Sequence, residues 1–174
     1  MTHLTRAQLL SAAGGLVLSA DADLAKVAAT AELLAIDFYK HAIASRHFEG
    51  DERAYLAAAR DNEIEHYDLL KLALGKAAPH GLRFRYPNGV FTSRTSVATL
   101  GQALETAFLG TYAGAVGSFR SNALKSLAGQ IAATESRHLG VMTNIAAGAI
   151  VPAPDLPRIY TGVEALAALK PFLA

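Results

Sequence analysis

Two stretches of this chain carry the same four ionisable residues in the same order. The first half holds Glu32, Tyr39 seven residues on, then Glu63 and His66; the second holds Glu105, Tyr112 seven residues on, then Glu135 and His138. The Tyr-to-Glu spacing is 24 in one half (63 minus 39) and 23 in the other (135 minus 112). Both halves read Glu-x6-Tyr, a turn, then Glu-x2-His. A repeat of apolar pattern alone is commonplace in helical chains, whereas a repeat of ionisable residues on apolar segments is not.

Those segments are helical in period. Over residues 22–47, Leu24, Val27, Ala28, Ala31, Leu34 and Phe38 recur at helical spacing. Asp21 or Asp23 is the expected cap, and Gly50 ends the segment. A second helix is predicted from Asp51 to about Leu74, with Gly75 as its stop. Pro79, Gly81, Pro87 and the Asn88-Gly89 pair break the pattern over residues 76–94. A third helix is expected from Thr95 or Ser96 to about Phe119, and a fourth from Ser121-Asn122 to before Gly148. Pro152, Pro154 and Pro157 mark a proline-rich tail over 149–174, with a short helix around Val163–Lys170.

The connections predict the topology. Links one-to-two and three-to-four are short, so each pair forms an antiparallel hairpin. The middle link, about 19 residues, spans up to about 60 Å when extended, whereas a helix of about 25 residues is only about 37 Å long. It can return along the whole bundle, so the expected fold is an all-α four-helix bundle with one long crossover between helices 2 and 3.

Residues three apart on a helix share a face, so each Glu-x2-His pair can aim at one point. Glu32 and Glu105 each lie among apolar neighbours. Four carboxylates converging in such a core would repel one another and be strongly desolvated. Two divalent cations would balance four carboxylates, leaving the imidazoles neutral. Composition narrows the chemistry. Without cysteine, thiolate metal sites, disulfides and rubredoxin-type iron are excluded. The charge of +1, from 16 basic and 15 acidic residues, offers no footprint for nucleic acid. No apolar run is long enough for a membrane span.

This pattern resembles the ferritin-like superfamily of di-metal carboxylate proteins, in particular bacterial ferritin-like domain proteins related to plant desiccation-associated proteins. The likeness covers about residues 22–148. Two Glu-x2-His motifs bring it closer to bacterioferritins, rubrerythrins and manganese catalases than to ferritins with one. The resemblance implies that Glu63 and Glu135 bridge two metals, with Glu32 and His66 completing one and Glu105 and His138 the other. It implies two iron ions, or two manganese or a mixed pair, acting on O2 or H2O2 in ferroxidase or peroxidase chemistry. It also leaves open a non-enzymatic, metal-sequestering or stress-protective protein, or a metal-free interaction bundle. Tyr39 and Tyr112 are either site tyrosines, as hydrogen-bond or electron donors, or core tyrosines satisfied elsewhere. Asn62 and Thr134, just before the motif glutamates, are candidates to accept from the opposite histidine. His3, His41, His47 and His80 read as surface residues, and Asp37 faces away from Glu32.

Residues 1–21 have two readings. They form an N-terminal helix or arm on the bundle, in a cytoplasmic protein, or a vestigial twin-arginine-like export signal around Arg6. The apolar surplus, 52% of residues, points to a homodimer or larger assembly.

Overall fold

A computed structural model describes residues 19–152 and 156–174; the arm or export signal expected at residues 1–21 lies almost wholly outside the described residues. Four long helices dominate: α1 (Ser19–Ala44), α2 (Gly50–Leu74), α3 (Arg94–Ser118) and α4 (Asn122–Ala147). A fifth, α5 (Gly162–Leu169), packs on α3 and α1. Among the described residues there is no strand, only an isolated bridge between Phe84 and Leu173.

The ends of the helices follow from local chemistry. Gly75 and Gly148 end α2 and α4 with φ of 57° and 66°, a backbone region open chiefly to glycine. Ser93 and Ser121 cap α3 and α4 by accepting from the N–H of Ser96 and Leu124. At α5 a reciprocal capping box joins Thr161 and Glu164.

Asp21 corrects the sequence reading. It does not cap α1: it is itself helical, within Ser19–Ala44, and buried. Its carboxylate accepts from the backbone N–H of Arg120 and Ser121, both at 2.9 Å. It therefore fastens the turn between α3 and α4 to α1, satisfying donors at the N-terminus of α4.

α1 pairs with α2, and α3 with α4, as two hairpins. Tyr39 reaches Glu105 while Tyr112 reaches Glu32, so α1 and α3 are antiparallel. Since α1 is also antiparallel to α2, α2 and α3 run parallel and residues 75–93 are the crossover. Arg94, at the start of α3, grips Glu52, at the start of α2, with a two-pronged ion pair, as parallel helices require.

The tail locks this arrangement. Its backbone pairs with the crossover through Arg85 N–H to Phe172 O (2.8 Å) and Ala174 N–H to Arg83 O (3.1 Å). Residues 158–160 lie directly on α3, where Tyr160 N–H donates to Gly110 O at 3.0 Å. A Cβ on Gly114 would stand 1.9 Å from Tyr160 O, so only glycine permits that approach.

The core is divided. One apolar cluster, with Phe38, Phe48, Leu56, Phe108 and Met142, fills the end near Tyr39; another, with Leu70, Phe119, Leu124 and Ile131, fills the end near Tyr112. Burying each large side chain stabilises by about 1.5–3 kcal/mol, and the ionisable residues lie in a layer between the clusters.

Candidate metal centre

All six residues singled out from the repeat are buried: Glu32, Glu63, His66, Glu105, Glu135 and His138. They form two overlapping groups, Glu32-Glu63-His66-Glu135 and Glu63-Glu105-Glu135-His138. Within each group the ligating atoms lie within 4.8 Å of one another, and Glu63 and Glu135 belong to both. Each group could hold a cation.

The geometry is cross-linked between halves. His66 Nδ1 stands 3.0 Å from Glu63, 3.3 Å from Glu135 and 3.5 Å from Glu32. His138 Nδ1 stands 2.7 Å from Glu63, 3.4 Å from Glu135 and 3.9 Å from Glu105. Both rings therefore turn Nδ1 toward the carboxylates.

Five buried atoms here lack a hydrogen-bond partner: Glu63 Oε1, Glu105 Oε2, both Glu135 oxygens and His138 Nδ1. His138 Nδ1 and Glu63 Oε1 approach closely without the alignment of a hydrogen bond. Buried polar atoms in a protein core are almost always satisfied. Converging oxygen and imidazole groups, five of whose atoms find no hydrogen bond, are what a cation would satisfy.

Electrostatics point the same way. Burial, and then the charge of Glu135, push the carboxyls of Glu63 and Glu105 well above the usual carboxylate range. Burial also acts against Glu135, but the close imidazoles of His138 and His66 outweigh it and bring that carboxyl to about 2. Burial opposes charge on His66 too, yet the carboxylates of Glu135, Glu32 and Glu63 around its Nδ1 raise it strongly. Without a cation, protons neutralise this layer.

Tyr39 donates to Glu105 Oε1 at 2.5 Å, and Tyr112 donates to Glu32 Oε1. Each tyrosine thus serves the glutamate of the other half, not the one seven residues before it. Burial, then Glu105 for Tyr39 and Glu32 for Tyr112, raise both phenols well above their ordinary value, so they remain donors.

Asn62 meets the opposite histidine, its side-chain amide lying 3.3 Å from His138 Nε2. Thr134 turns its hydroxyl back to Gln130 O instead, at 3.5 Å. Asp37 is away from the site and accepts from Tyr86 at 2.9 Å. His41, His47 and His80 are exposed, and His3 is outside the described residues.

A family model described as a ferritin-like domain matches residues 20–147. The chain belongs to the ferritin-like domain family. No curated protein sequence matches it. In this ferritin-like domain no described helix is long and apolar enough to cross a membrane.

One residue escaped the sequence reading. Tyr55 of α2 packs edge-on against His138, ring centroids 6.1 Å apart, and its buried hydroxyl has no partner. Burial, then the charge of Glu105, push that phenol up to about 12. It stands eight residues before Glu63, so the signal was two helical turns from a motif residue. The repeat hid it, because the equivalent position before Glu135 is Leu127.

Proposed function

We propose that this ferritin-like domain protein binds two divalent transition-metal ions, iron or manganese, and uses them in oxidation chemistry of the ferroxidase or peroxidase type. In this reading Glu63 and Glu135 bridge, Glu32 and His66 complete one ion's protein ligands, and Glu105 and His138 complete the other's. The observation that carries it is the pair of overlapping buried groups sharing those two glutamates, with five unpartnered atoms among them.

When bound, an iron or manganese pair supplies two one-electron changes, enough to reduce H2O2 or begin reducing O2. The chain's residues supply the rest. Tyr39 and Tyr112 hold Glu105 and Glu32 in place by hydrogen bonds and, as buried phenols beside the carboxylates, are the protein's own electron donors in this reading. To hold an ion through Nδ1, each histidine would carry its proton on Nε2. For His138 that requires Asn62 to turn its amide oxygen to the ring, a half-turn exchange of amide atoms. The apolar clusters above and below keep bulk water from the two ends of the layer.

Self-association belongs to this reading, supported by the exposed apolar side chains Ile150, Leu156, Ile159 and Val163 of the tail. Metal analysis of gently purified protein, with anomalous diffraction at the iron and manganese edges, tests the ions. Turnover of ferrous ion with O2 or H2O2 then tests the chemistry. Two ions bound at the six residues without redox cycling would leave the sequestering reading instead.

A further inference from the structure

Although the repeat equips both halves with the same ligands, only one is sealed. His138 is boxed by the rings of Tyr39 and Tyr55, at 5.9 and 6.1 Å, and by Asn62 at its outer nitrogen; its side chain is 1% exposed. The His66 side chain is 9% exposed and lines a cleft of about 190 Å³ between α2 and α4. Asn62, Leu69, Leu127, Gln130 and Thr134 are among the other walls. The difference traces to single positions. On α2 and α4 the halves are offset by 72 residues (135 minus 63), which makes Leu127 the counterpart of Tyr55 and Thr134 that of Asn62. Where the first half has a ring over its neighbour's histidine, the second has a shorter side chain beside an opening. Amide and hydroxyl groups on the cleft walls can replace part of a cation's hydration shell as it sheds water.

We propose that this cleft is the port through which divalent cations reach the site, and that Tyr55 is the plug that makes the second position slow to fill and empty. The ion at His66 exchanges directly with solvent, and the ion at His138 exchanges only through the first position or through local opening of the bundle. This deepens the two-ion reading and rests on it.

Cobalt(II) alone serves as the probe, its binding followed by absorbance in the full-length, metal-stripped chain. Release to a chelator should be biphasic, with phases about tenfold or more apart, since a sealed position opens only by local fluctuation. Leu127→Tyr should slow uptake while leaving two ions bound at equilibrium, and Tyr55→Leu should accelerate the slow release phase. Single-phase release from the wild type, or unchanged uptake by a Leu127→Tyr chain that still binds two ions, overturns the port. Fewer than two ions per chain at saturation overturns the two-ion reading.

Discussion

The two halves of this bundle differ where they are not forced to agree. Between α1 and α3 they match closely, Tyr39 to Glu105 and Tyr112 to Glu32. Between α2 and α4 they diverge, Tyr55 and Asn62 closing one side while Leu127 and Thr134 border a cleft on the other. A buried carboxylate without compensation costs several kcal/mol, so both halves must furnish the same charged groups and donors. No comparable penalty attaches to the neighbours of an imidazole edge, where a ring, an aliphatic chain or water will each serve. Equal ligands therefore do not imply equal sites.

The comparison breaks most visibly at the shared glutamates. Glu63→Ala or Glu135→Ala should remove the two-ion cluster, whereas Glu32→Ala or Glu105→Ala should each cost chiefly one ion. A metal at a thousand times its dissociation constant stabilises the native state by about 4 kcal/mol. The metal-induced rise in melting temperature should largely vanish in the first two variants and persist in part in the others. Equal metal-induced shifts in all four and the wild type would remove Glu63 and Glu135 as bridging ligands. The metal-free Glu63→Ala chain can even be the more stable apoprotein, having lost a repelling buried carboxyl.

Acidity should sharpen the picture of the layer as a whole. The raised Glu63 and Glu105 carboxyls and the raised His66 bind protons more tightly in the folded chain. Their stabilisation is present below the unfolded values of 4.5 and 6.5 and is lost as pH rises through the folded ones. Glu135, lowered to about 2, acts oppositely, and its contribution is lost as pH falls from 4.5 toward 2. The metal-free protein should therefore melt at progressively lower temperature as pH is raised above about 5. With metal the trend should flatten or reverse, because ligands must shed protons to bind. A metal-free melting temperature that climbs from pH 5 to 8 would contradict the protonated layer.

Smaller effects separate the halves directly. Asn62→Ala should weaken the His138-side ion by about 10–100-fold, as loss of a partner to a ligating histidine does. Thr134→Ala should change the His66-side ion little, since Thr134 bonds Gln130 and not the ring. Isothermal titration of both variants with manganous ion compares them, and equal losses would erase the asymmetry. Similar in size are Tyr39→Phe and Tyr112→Phe. Each strips a buried carboxylate of one donor and should cost about 1–3 kcal/mol in chemical denaturation. The two costs should be similar, because this part of the repeat is symmetric.

Much of the architecture could be read along the chain because its causes are local. Gly75 and Gly148 stop helices by their backbone freedom, Ser93 and Ser121 start them by capping, and the length of the 75–93 link argues for the crossover. The six ionisable residues could be read because a spacing of three on one helix face survives any packing. The errors were also local. Asp21 looks like a cap because an acidic residue near a helix start usually is one, and nothing nearby reveals donors 99 and 100 residues away.

The sequence by itself determined four amphipathic helices, their hairpin pairing and a set of ligands that cannot be buried uncompensated, since each follows from periodicity, caps and charge. Only the tertiary structure decided the exchange of tyrosines between halves, the tail lying on Gly110 and Gly114, and which histidine is sealed. Those depend on which faces meet across α1–α3 and α2–α4. A spacing along one helix states where a side chain leaves that helix, not what stands opposite it.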